Sequence, residues 1–173
     1  VDLSPVSPVD VGPDGTVWGI SGDEWGIYGA ASDHAVVLFD GSGWQEWEPP
    51  DWLAPDHADW TWDGDEWVEA TESANDGLHV ELLQGDVRVA PDGSAWVISR
   101  LGLSNDQLVC TDDFGGVARF DGETWSRFLR DRCVQSMDIA TDGFIWLLAT
   151  ESDARYPIVR PYIITPEAVA AVE

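Results

Sequence analysis

The residues of this chain best suited to chemistry are its carboxylates and its indoles. They crowd most densely between Asp51 and Trp67, where Trp52, Asp59, Trp60, Trp62, Asp63, Asp65 and Trp67 share one short stretch. An indole face stacks on a sugar ring, and carboxylates beside it can hold ring hydroxyls or supply oxygen ligands to Ca2+. The stretch breaks the period of the repeat described below, and loops inserted on a rigid scaffold are where binding concentrates. These seven residues are the candidate ligand-binding set. The opposing reading makes the four tryptophans the core of a degenerate repeat, with the aspartates in its turns.

Other chemistries find less support. His34, His57 and His79 fall in none of the spacings that metal sites use, so no transition-metal site is expected. Neither Asp59–Asp65 nor Thr111–Gly116 follows the EF-hand alternation, so calcium is expected only as weak, adventitious binding, and no cofactor is expected. No Gly-x-Ser-x-Gly elbow marks a nucleophile. With 33 Asp and Glu, a glycosidase-type carboxylate pair has no distinguishing position. No catalytic residue is assigned, and the chain is expected not to be an enzyme.

Charge narrows the partners. The formal net charge is −25 and all eight basic residues are Arg. Recognition of nucleic acid or an anionic lipid surface requires basic side chains against phosphates, so neither is an expected partner. The absence of Lys removes Walker-type phosphate loops and Schiff-base chemistry. Eleven Trp and five Phe among 173 residues supply the apolar payload of a folded domain. The longest apolar windows, Ala35–Phe39 and Phe144–Thr150, are too short to span a bilayer. The chain begins at Val1 with no charged and apolar leader, which reads as a processed or excised start.

The elements that must position these residues repeat. Val9–Ser21, Val87–Ser99 and Met137–Ala149 align over thirteen columns without a gap, which marks an array of similar units. In each, an Asp-Gly turn (Asp14-Gly15, Asp92-Gly93, Asp142-Gly143) precedes a strand carrying Trp18, Trp96 or Trp146. Pro presets the turn, Asp caps it and Gly supplies φ > 0. Apolar groups on both faces of the Trp strands predict cover on both sides. A second hairpin recurs at Phe39-Asp40-Gly41 with Trp44 and at Phe120-Asp121-Gly122 with Trp125.

The set Asp-Gly-x-x-Trp, followed by a second Asp-Gly hairpin, resembles the propeller repeats of two-component-regulator sensor regions. The resemblance spans most of residues 9–165 and implies a fold more than an activity. The expected fold is all-β, a β-propeller or partial propeller of three to four mainly four-stranded antiparallel blades. The expected divisions are repeat 1 at about 9–47, a degenerate blade or insertion at 48–85, repeat 2 at about 86–133, an incomplete repeat 3 at about 134–165 and a tail at 166–173. The uneven spacing of the Asp-Gly turns and the two prolines after Tyr156 depart from the family pattern. Closed propellers use four to eight blades, so the chain is a small ring, a fragment of one, or a partial ring completed by another chain.

If both strands extend that far, the register that sets Phe120 opposite Trp125 brings Cys110 and Cys133 within about one pairing step. A disulfide there would contribute about 3 kcal/mol and signal an oxidising compartment, two buried thiols being the alternative. The function expected from these features is a noncatalytic extracytoplasmic binding or sensing module for a glycan or protein, at the cell surface, outside the cell or in the periplasm. The alternatives are a structural or assembly module that completes a propeller with another chain, and part of a carbohydrate-active enzyme.

Overall fold

The structure is a computed structural model that describes residues 6–21, 35–50, 52, 60–62, 67–69, 78–103, 108–109, 115–130, 132–151 and 158–172. Fourteen strands and one short helix are seen among them. In chain order the strands are β1 (Val6–Val11), β2 (Val17–Ser21), β3 (Ala35–Phe39), β4 (Trp44–Trp47), β5 (Trp60–Trp62), β6 (Trp67–Glu69) and β7 (Leu78–Val89). Then follow β8 (Ala95–Leu103), β9 (Leu108–Val109), β10 (Val117–Phe120), β11 (Trp125–Phe128), β12 (Arg132–Ile139), β13 (Ile145–Glu151), β14 (Arg160–Ile164) and the helix α1 (Pro166–Ala170).

They form three antiparallel sheets. The first runs β1-β2-β3-β4, and the third runs β12-β13-β14. The second has a four-stranded core, β11-β10-β8-β7, which β5 and β6 extend beyond β7 while β9 pairs β8. The stretch 48–85 therefore contributes β5, β6 and the start of β7 to the second sheet. The third sheet has three strands where the first and the core of the second have four.

The Asp-Gly turns explain the shared start of each sheet. Gly15, Gly93 and Gly143 take φ of 87°, 88° and 83°. Their amides donate back to Gly12, Ala90 and Ala140 at 3.0, 2.9 and 2.9 Å, closing the same turn three times. Only Gly adopts this conformation without a Cβ penalty. Asp14 Oδ1 accepts from the Thr16 amide and hydroxyl, and Asp92 Oδ1 from those of Ser94. Asp142 accepts the Phe144 amide at a longer 3.4 Å, and Phe144 has no hydroxyl to supply a second bond.

Alternation along β8 stacks the three sheets. Ala95 and Val97 join one core with Trp18 and Val36 of the first sheet and Val87, Ala118 and Phe120 of the second. Trp96 and Ile98 point the other way, into a core with Val134, Met137, Ile145, Leu147, Ala149 and Ile164 of the third. The strand is apolar on both faces because each face meets another sheet. β7 lies against β1 on one side and β12 on the other, so these strands bring the three sheets together.

The strands around Phe120 and Trp125 do not extend as far as Cys133. Phe120 does pair with Trp125, but the hairpin ends at Val117 opposite Phe128. Leu129, at φ 52°, then turns the chain, and Cys133 lies on β12 opposite Thr150 in the third sheet. Cys133 is thus not a continued position of the Phe120–Trp125 hairpin. Cys133 is buried and bonded, not a free thiol; Cys110 lies outside the described residues.

Candidate functional site

The described members of the sequence-derived binding set occupy different surroundings. Trp52 packs against the core between the first two sheets, and the Arg127 guanidinium sits over its ring, 5.1 Å from the centroid. Trp60 and Trp62 lie on β5 and Trp67 on β6, with Trp62 opposite Trp67 in the ladder. Asp59, Asp63 and Asp65 lie outside the described residues. The repeat residues are brought together in packing roles: Trp18 lies 5.8 Å from Trp47 and 6.1 Å from Phe120, and Phe120 stacks on Trp125 at 4.7 Å. Phe39 and Trp44 form the matching pair in the first sheet at 5.2 Å.

One polar cluster escapes a reading by motif. Arg119 lies beside Trp96 in the ladder and is buried. Its Nε donates to Ser94 Oγ at 3.2 Å and its NH2 group to Asp92 Oδ2 at 3.2 Å, with Asp121 Oδ2 3.9 Å from NH1. It links the two Asp-Gly turns at one end of the second sheet. Burial raises the Asp92 pKa, but the Ser94 hydroxyl and amide and the Arg119 guanidinium together outweigh it, leaving the carboxyl below its ordinary value. Asp121 is lowered by the amides of Thr124 and Glu123, with Arg119 adding to the effect. A shallow cleft of about 660 Å3 opens beside this hairpin, lined by Asp121, Glu123, Thr124, Trp125, Ser126 and Val172.

The largest contrast lies among the three equivalent tryptophans. Trp18 is 4% exposed and Trp96 1%, each facing the next sheet in the stack, while Trp146 is 49% exposed. Its neighbours on that face of the third sheet, Leu148 and Ile163, are 45% and 48% exposed. Asp138, opposite Trp146, accepts the Ile139 amide at 3.0 Å. Asp10, opposite Trp18, accepts the Val11 amide at 2.9 Å in the same way, and its second oxygen takes the Val89 amide of the second sheet at 2.8 Å. A shallow groove of about 220 Å3 on this face is lined by Ser136, Met137, Asp138, Trp146, Leu147, Leu148 and Pro161. The sequence placed Trp146 in the repeat; its exposure depends on what lies over the third sheet, which the repeat motif does not encode.

Among the described residues no group of three or more His, Cys, Asp or Glu is placed to hold a metal ion, and no helix is long and apolar enough to cross a membrane. Comparison of the chain with family models, curated proteins and solved structures finds no match.

Proposed function

We propose that this chain is a noncatalytic module of β-propeller type that acts by binding a protein partner, and that its docking surface is the open face of the third sheet around Trp146. One observation carries the reading. The side chain that seals each preceding sheet against its neighbour is, in the third copy, left half exposed among other exposed apolar residues. Contiguous apolar exposure of this kind marks interaction surfaces. Such a fold hosts many functions, so the reading rests on this face and not on the architecture.

We also assign the bond of Cys133 to Cys110, the only other cysteine in the chain. Cys110 directly follows β9, which pairs β8, so the bridge would join the second sheet to the third. A structural disulfide of this kind accords with an extracytoplasmic location.

The docking surface is tested by thermal unfolding of the single chain, at dilutions where Tm no longer depends on protein concentration. Trp96→Ala should lower stability by about 3–5 kcal/mol, the cost of emptying a core aromatic site. Trp146→Ala should change it by less than about 1 kcal/mol, as at a surface position. Equal losses at both positions would show that the chain itself covers the Trp146 face and would remove the proposed surface.

A further inference from the structure

The stack obeys one packing rule, used twice. Each sheet offers a Trp-bearing face to its successor, and the successor receives it on the opposite face of its own strands. In the first contact the offering face carries Trp18 with Ile20 and Leu38, and the receiving face carries Val87, Val89, Ala95, Val97, Ala118 and Phe120. In the second, Trp96 and Ile98 are offered, and Ile139, Ile145, Leu147 and Ile164 receive. The register makes the receiving positions equivalent. Val11, Val89 and Ile139 end the inner strand of their sheets; Val17, Ala95 and Ile145 begin the next; Phe39, Phe120 and Ile164 pair with those three.

Two faces of the stack are left without a partner among the described residues, and they are opposite in kind. The third sheet ends on an offering face of Trp146, Leu148 and Ile163. The first sheet begins with a receiving face that is open at its Asp-Gly end, around Val11, Val17 and Phe39, while Val37 and Ala35 further along the same face are buried. Val11 is 60% exposed, whereas its equivalents Val89 and Ile139 are packed against a core. Trp44, which pairs with Phe39, is 36% exposed, whereas its counterpart Trp125 packs against the core between the first two sheets.

We propose that the partner of the Trp146 face is the first sheet of a second copy of this chain, joined head to tail. This inference rests on the reading of that face as a docking surface and names its occupant. A second copy carries the receiving face that the packing rule requires, on the same columns that already receive Trp18 and Trp96 within the chain. Two copies of three sheets make six, within the four to eight blades at which propellers close. A closed pair would use both open faces of both copies, whereas a contact that does not close would grow into a filament. The edge of β14 is the less suitable route to association, because Pro161 lacks an amide donor for strand addition.

Sedimentation or light scattering on the full chain tests this, over a range of concentrations and in both moderate and high NaCl, since two copies of charge −25 repel unless screened. The expected wild-type mass is twice 19.0 kDa. Trp146→Glu on one face and Val11→Asp on the other should each weaken the dimer by on the order of 100-fold, the effect of losing a central interface residue. Leu148→Glu is a second variant of the offering face, and a thermal transition matching the wild type at dilutions where Tm no longer depends on protein concentration certifies that each variant is folded. A dimer that survives Val11→Asp would mean that two Trp146 faces meet each other, which overturns the head-to-tail arrangement. A wild-type mass of 19.0 kDa under every condition overturns the second copy as occupant. That result would leave the docking surface itself standing, since the Trp96 and Trp146 comparison decides it separately, and would point to a sheet from another polypeptide or from a longer form of this one.

Discussion

A Cβ on Gly116 would overlap the carbonyl oxygen of Phe128, and the residue sits at φ 84° with its amide bonded to Arg132 O at 2.8 Å. Gly116→Ala should therefore destabilise the fold by about 3 kcal/mol or more, read by denaturant unfolding, because strain and overlap act together. Gly43→Ala, which meets open space and has no positive φ to keep, should be near neutral. The sequence did not distinguish these two glycines: the demand on Gly116 comes from Phe128 and Arg132, twelve and sixteen residues further on. Local chemistry was legible. Asp40 accepts the Ser42 hydroxyl and amide and the Gly43 amide, which hold its pKa down to about 2 from an ordinary 3.8. Its folded value is depressed, so its contribution is complete above about pH 4 and is lost as pH falls through about 2. The difference in Tm between wild type and Asp40→Asn should accordingly be widest above pH 4 and shrink toward pH 2. A difference that stays constant across that range would detach the Asx turn from the ionised carboxylate.

At the scale of the elements, the alternation on β8 could be read from Ala95-Trp96-Val97-Ile98, since apolar groups on both faces require two covering layers. The role of Arg119 could not. It becomes visible only when the register of β8 and β10 sets it beside Trp96, and when both Asp-Gly turns close at the same end of the sheet. Its planar fork contacts Ser94 and Asp92 together, which a Lys ammonium cannot reproduce. Arg119→Lys should cost about 1–3 kcal/mol in chemical denaturation, the range for charge-assisted hydrogen bonds, and should raise the pKa of Asp92 toward its ordinary value. NMR titration of the carboxyl carbons reads the second effect independently of the first. An unchanged stability would mean that the cluster merely tolerates the arginine. The division of the region 48–85 was also only partly legible: a degenerate repeat with tryptophans in its core and aspartates in its turns was one of its two readings, but attachment to the second sheet depends on β7 being twelve residues long, with its first part pairing β5 and the distal part of β8.

For the whole molecule, the charge of −25 and the apolar stacking oppose each other. With 33 acidic against 8 basic residues, most carboxylates have no cationic neighbour to pair with, and the Arg119 and Arg88 contacts use two of the eight arginines. Like charges on a compact surface repel more than in an expanded chain, so screening favours the folded state. The Debye length falls from about 10 Å at 0.1 M to about 3 Å at 1 M salt, which removes most repulsion between neighbouring surface carboxylates. Calorimetry between these salt concentrations should show Tm rising by about 3–6 °C, equivalent to roughly 1–2 kcal/mol for a domain of this size. The rise should be the same for NaCl and KCl if it is screening, and should also occur in Trp146→Glu, which separates a gain in fold stability from a gain in association. A rise confined to the wild type would instead assign the salt effect to the meeting of two like-charged copies, with the Trp146 face as the place where apolar burial overcomes their repulsion.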